Sequence, residues 1–198
     1  MPRIGLVADG RYDEAAISVL LRKCGQGITV EPRQCGGRNF SRARGILKEL
    51  ERRGLVDLAI WATDSEADVP TQLEKRMRKA VEEAALRLSV CCVPVVRMIE
   101  AWLLADEAAV QIVCGRSRVF NNPEVLPNPK AELRHILAPR PYTSAVAESI
   151  AEAANVDTIA TRCLSFRKLR ACLAQAGQLR PKSARTPRKA KTKRRSRR

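Results

Sequence analysis

The chain has 198 residues, with 37 Lys and Arg against 21 Asp and Glu and a formal net charge of +16; that length excludes a large multidomain enzyme and fits one domain with a small appendage. Hydrophobic residues make up 45% and charged residues 29%, which excludes a wholly disordered chain and leaves material for a real core. No apolar run approaches the roughly eighteen residues of a membrane span, and the N-terminus opens on a strand-like pattern, so the expectation is a soluble, cytoplasmic protein with no membrane partner.

Ile4 to Ala8 is a near-continuous apolar run closed by Asp9-Gly10, the pattern of a strand buried on both faces followed by a turn. Ile17, Leu20, Leu21 and Cys24 then recur at helical spacing, with Asp13 and Glu14 in the first turn, where carboxylates complement the helix dipole. A short strand around Ile28 to Glu31 leads into Cys35-Gly36-Gly37-Arg38-Asn39. The next helix carries Phe40, Ala43, Ile46, Leu47 and Leu50 and closes at Arg52-Arg53-Gly54, with cations and glycine at its C-terminal end. Val56 to Ala62 reads as a central strand whose exit, Thr63-Asp64-Ser65-Glu66-Ala67-Asp68, is unusually acidic. Residues 69–87 form a long amphipathic helix, and Val90 to Val96 a fourth strand whose Pro94 suits an edge or a strand end. The alternation predicts an α/β fold: a four-stranded parallel sheet, helices on both faces, right-handed crossovers.

Beyond the fourth strand the pattern changes. Ile99 to Val113 is helical, with Ala105-Asp106 as punctuation and Trp102 facing the core; Gly115 to Pro129 is a Pro- and Asn-rich connection. Lys130 to Gln175 reads as several short helices, the last from Phe166 to Ala176 with Ser165 as its cap. The chain thus divides into an α/β domain over residues 1–113, a helical appendage packed on it over 114–177, and a basic tail over 178–198. Gln178 to Arg198 holds eleven Lys and Arg and no acid, leaving a charge of +5 for residues 1–177. With no apolar periodicity, the tail is expected to be a disordered arm attracted to polyanions. The seven cysteines contain no C-x-x-C pair and are expected to be reduced, mostly buried thiols. His135 is the single histidine, which disfavours a Cys/His zinc site or a Ser-His-Asp triad.

Functional crevices of parallel α/β sheets lie beyond the carboxyl ends of the strands, and Asp9, the Asp64/Glu66/Asp68 group and Glu100 all follow such ends. An extended chain turns residues i and i+2 to the same side, so Asp64 and Glu66 are expected to present carboxylates to a common point. Oxygen donors of this kind suit Mg²⁺ or Mn²⁺. Each acid taken alone also fits a turn or helix-capping role; their convergence from separate strands is what points to a cation.

The ordered set Val7-Ala8-Asp9-Gly10, Ala62 to Asp68 and Glu100 to Asp106 resembles a Toprim (topoisomerase–primase) domain. More narrowly, it is similar to a small bacterial family of Toprim-like proteins related to overcoming-lysogenization-defect and abortive-infection nucleases. The resemblance spans about residues 3–176, with Asn128-Pro129-Lys130 and Ser165-Phe166-Arg167 matching that family's helical end. It implies metal-dependent phosphodiester hydrolysis of DNA or RNA, in phage defence, with Mg²⁺ or Mn²⁺ held by Asp9 and by Asp64 and Glu66 at the D-x-D positions. Asp68 lies nearby and Glu100 beside the site. The sequence departs twice, carrying Asp9 where the family has Glu and D-S-E in place of D-x-D.

Gly36-Gly37-Arg38 ahead of a helix is a candidate phosphate seat, although the P-loop pattern is absent. Lys130 and Arg167, with Arg134, Arg162 and Arg170, are candidates to grip a nucleic-acid backbone. Tyr12 and Tyr142 show no placement for covalent attack, which favours hydrolysis. The competing expectations are a non-catalytic nucleic-acid-binding protein that relies on its tail, and a subunit activated by a partner ATPase.

Overall fold

A computed structural model describes residues 1–178; the expected tail from residue 179 onward lies outside the described residues. Four parallel strands form one sheet in the order β2-β1-β3-β4, with β1 at Arg3–Ala8, β2 at Thr29–Gln34, β3 at Leu58–Asp64 and β4 at Val90–Val95. Ile4 is flanked by Val30 on one side and Leu58 on the other, and Asp64 by Val95. The two central strands are the most continuously apolar, as strands covered on both faces must be. Pro94 falls on β4, an edge strand, where the missing N–H costs no ladder bond on the open side.

Side chains alternate between the faces. Val7, Ala59, Trp61 and Cys92 pack with Leu47, Leu50, Leu73 and Met77 of the helices α2 (Phe40–Arg53) and α3 (Pro70–Glu83). A Cβ at Gly5 would stand 2.8 Å from Leu50 Cδ1, so a larger residue there would displace the Leu50 side chain. α3 stops at Glu83, short of the expected residue 87, where Ala85 enters the left-handed region with φ 51.

Ile4, Leu6, Ala8, Ile60 and Ala62 point to the other face, where α1 (Arg11–Cys24) packs together with the C-terminal helices in one continuous core. Those helices are α4 (Glu100–Leu104), α5 (Glu107–Cys114), α6 (Pro129–Leu137), α7 (Ser144–Ala153), α8 (Val156–Arg162) and α9 (Leu164–Gln178). Asp106 divides α4 from α5: its carboxylate accepts the Ala108 and Ala109 N–H groups and ties in the Asn155 N–H at 2.7 Å. Among the described residues no helix is long and apolar enough to cross a membrane.

Two expectations need correction. Cys91 of β4 and Cys172 of α9 are joined as a disulfide, so the cysteines are not all free thiols. Ser165 lies inside α9, which begins at Leu164, and the cap comes from a distant residue instead. Glu124, buried in the connection, accepts the Leu164 N–H at 2.8 Å, the Ser165 N–H at 3.0 Å and the Ser165 hydroxyl. The same hydroxyl oxygen accepts the Trp102 indole N–H at 2.7 Å. A remote carboxylate is invisible to local capping rules, whereas Ser165 fits them by type. Glu124→Ala removes three acceptor contacts in a dry environment and is expected to cost about 2–4 kcal/mol. Urea unfolding checks this, since the midpoint should fall at constant slope; a wild-type midpoint would mean water can replace the carboxylate.

Candidate functional site

The chain leaves β1 toward β2 on one side and returns through β3 on the other, so the order of the sheet reverses between β1 and β3. Beyond the carboxyl ends of two such diverging strands lies the crevice in which open α/β sheets place their ligands. Asp9 follows β1 directly, and Asp64 is the last residue of β3. Glu100 opens α4 immediately beyond β4, and Asp13 sits in the first turn of α1.

Asp9 is 9% exposed and tightly held. Its Oδ2 accepts the Thr63 hydroxyl at 2.6 Å and the Asp64 N–H at 3.1 Å, and the Cys35 thiol lies 3.6 Å from Oδ1. Burial nevertheless raises its pKa, against the lowering effect of these donors and of Arg38. Asp13 Oδ2 accepts the Gly10 N–H at 2.9 Å. Its carboxyl is pushed up to about 7, first by burial and then by Glu100 and Asp9. Asp64 Oδ1 accepts the Ile99 N–H at 3.0 Å, and burial, Asp13, Glu100 and Asp9 together drive its pKa well above the usual carboxylate range.

Glu100 is 1% exposed. Lys130, at the start of α6, places Nζ 3.6 Å from Glu100 Oε1, beyond hydrogen-bond reach, and this oxygen has no hydrogen-bond partner. The same ammonium stands 4.8 Å from the centroid of the Tyr12 ring, which stacks on Tyr142 at 5.2 Å. Tyr142, just ahead of α7, thereby reaches the acidic group from far along the chain.

Four carboxylates therefore gather here, Asp9, Asp13, Asp64 and Glu100, and the charges of Asp9 and Glu100 help to raise the pKa values of Asp13 and Asp64. Asp9, Asp64 and Glu100 are sequence-expected residues; Asp13 is not, having been read as a helix-dipole partner. Its position four residues after Asp9, across a strand end and a first helical turn, is the signal that could have found it.

Glu66 and Asp68 are placed differently. Strand β3 ends at Asp64 and Glu66 adopts φ 48, so the alternation that would turn Glu66 alongside Asp64 stops between them. Both acids instead meet Arg38, Glu66 at 3.0 Å and Asp68 at 2.7 Å, and Asp68 also pairs with Arg76. These pairings, led by Arg76, hold the Asp68 pKa below its usual value. Gly36 and Gly37, with φ 72 and 76, form the turn that glycine permits, and the Gly37 N–H donates to the Asp9 carbonyl at 2.8 Å. Asn39 caps α2 by accepting the Arg42 N–H, so this expected phosphate seat already has internal partners for Arg38 and Gly37. Arg167 lines an open groove with Asp157, Thr161 and Arg170 that none of the four clustered acids borders.

The donor set is wholly oxygen, which fits Mg²⁺ or Mn²⁺ in hardness and charge. An unpartnered, buried carboxylate oxygen on Glu100 and mutual repulsion among the four acids are both relieved by a cation. Among the described residues no three His, Cys, Asp or Glu side chains already stand at a common ligand point. The fit is thus one of chemistry and location.

Residues 11–174 match the family model described as Domain of unknown function (DUF4276). That span contains Asp13, Asp64, Glu100, Lys130 and Tyr142, while Asp9 stands just before it. No curated protein and no solved structure matches the chain.

Proposed function

The chain belongs to the DUF4276 family, and from the four carboxylates it gathers we propose a metal-dependent, Toprim-like nuclease that hydrolyses nucleic-acid phosphodiesters. The observation that carries this reading is the gathering of buried Asp9 and Glu100 with half-buried Asp13 and Asp64 beyond the carboxyl ends of the strands, close enough for their charges to act on one another. A fold keeps mutually repelling acids in a partly buried crevice at a cost in stability, and catalytic sites are where that cost is usually found.

Asp9, Asp13, Asp64 and Glu100 are the residues that would hold Mg²⁺ or Mn²⁺, which when bound polarises the phosphoryl group and lowers the pKa of attacking water. Asp9 is oriented by Thr63 and by the Asp64 N–H, so one of its oxygens is fixed before any ligand arrives. Lys130 lies at the rim of the group, where its ammonium suits a phosphate oxygen once Glu100 is otherwise engaged. Burial and Glu100 raise the Tyr142 pKa strongly, which keeps the phenol protonated and favours water over tyrosine as nucleophile.

The charge of +16, concentrated beyond residue 177, favours a second reading in which the protein binds nucleic acid without cutting it. Purified protein incubated with supercoiled plasmid, single-stranded DNA and RNA in Mg²⁺, Mn²⁺ or EDTA separates the two. The expected result is metal-dependent cleavage that Asp64→Ala abolishes. Tight, salt-sensitive binding without cleavage, lost on deleting residues 178–198, would instead establish the binder.

A further inference from the structure

Two buried polar atoms at the edge of the acidic group lack a well-formed hydrogen bond: Glu100 Oε1, which has the Lys130 ammonium at 3.6 Å, and the Tyr142 hydroxyl. Tyr142 is 8% exposed and Glu100 1%, so neither group turns to bulk water. Each unsatisfied buried polar atom costs on the order of 1–3 kcal/mol. Phenylalanine would supply the same stacking on Tyr12 without that cost. The Tyr142 ring is therefore explained by packing in the shared core, and its hydroxyl is not.

The hydroxyl lies against Glu100, the residue whose charge acts on it most strongly. A phenol has one donor hydrogen and Glu100 is an acceptor, so the two groups are chemically complementary, and a side-chain hydrogen bond to Glu100 is among the causes that raise the phenol pKa, although its geometry falls short of a well-formed bond. Glu100 also faces Lys130, whose ammonium stands 3.6 Å from Oε1. The carboxylate thus faces the Lys130 ammonium while its charge also acts on Asp13 and Asp64. An entering divalent cation would compete with that ammonium, and a donor is then needed to fix the rotated carboxylate.

We propose that Tyr142 is a positioning residue: its hydroxyl donates to the Glu100 carboxylate and holds it in the orientation that completes a divalent-cation site with Asp9, Asp13 and Asp64. The inference rests on the four-carboxylate reading above and adds to it a residue from the helical end of the chain. Tyr142 touches no substrate in this role, and the tyrosine hydroxyl acts only through Glu100. Groups that orient a ligand in this way are typically worth about 10–100-fold in metal affinity.

Mn²⁺ titration by calorimetry of the full-length protein tests this, with Tyr142→Phe and Asp64→Asn alongside and melting temperatures recorded for each. The expected result is Mn²⁺ binding by wild type, about tenfold weaker binding by Tyr142→Phe at an unchanged or higher melting temperature, and none by Asp64→Asn. A folded Tyr142→Phe variant that binds Mn²⁺ as tightly as wild type overturns the positioning role and leaves the carboxylate site standing. Wild type without Mn²⁺ binding overturns both. A measurement on the unaltered chain guards against misfolding of the variant: Mg²⁺ is expected to perturb the near-ultraviolet absorption of tyrosine, and a spectrum unmoved by saturating Mg²⁺ counts against the proposal.

Discussion

Asp13→Asn is expected to raise the melting temperature at pH 8 by roughly 5–12 °C while weakening Mn²⁺ binding about a hundredfold. The sign follows from the raised pKa. Asp13 titrates near 7 when folded, against an ordinary value of 3.8, so the native state binds a proton that the unfolded chain releases between those limits. Stability from this group is therefore full below about pH 4, falls as pH rises, and is lost above about 7. Three units correspond to about 4 kcal/mol, part of which is shared with Glu100 and Asp9. Asparagine removes the buried charge and keeps an oxygen to accept the Gly10 N–H. Thermal melts of both proteins from pH 4 to pH 8 check the argument: the curves should coincide at the acid end and separate as pH rises. Adding Mg²⁺ should restore wild type selectively, because only an intact site gains stability from binding. A variant that melts below wild type at pH 8 would mean that the cluster is not a store of electrostatic strain.

The sheet was legible because its signals are local. Ile4 to Ala8 and Val56 to Ala62 are too apolar to face water, and the interleaved helical periodicities leave few topologies open. The strand exits were legible for the same reason, and the charges of Asp9 and Glu100 act on Asp64 across them. What failed was the extrapolation beyond a strand end. The i, i+2 rule carries Glu66 to the side of Asp64 only while the chain stays extended, and a left-handed residue at 66 ends it. Asp13 was hidden by a sufficient local explanation, since a first-turn carboxylate always suits the helix dipole. Tyr142 and Glu124 reach their partners across about forty residues, through packing that no short window of sequence records.

Trp102→Ala is expected to lower stability by about 3–5 kcal/mol and to impair the acidic site as well. The indole is fully buried in α4, edge-on to Phe166 at 5.1 Å, and its N–H donates to the Ser165 hydroxyl in α9. Through Ser165 it is linked to Glu124, so one side chain joins α4, the connection and α9. Truncation leaves a cavity in a core that includes Ile99 and Leu103, and α4 is short enough to shift into it. Glu100 lies two residues before Trp102 on that helix, and the Ile99 N–H that holds Asp64 is one residue earlier still. Displacing α4 therefore moves a carboxylate and loosens the donor of another. Trp102→Phe separates volume from hydrogen bond, and should cost only about 1–2 kcal/mol while leaving Mn²⁺ affinity near wild type. Urea unfolding and Mn²⁺ titration on the two variants decide the matter. Equal Mn²⁺ affinity in a folded Trp102→Ala protein would show that Glu100 and Asp64 are positioned by the sheet alone, without help from the C-terminal helices.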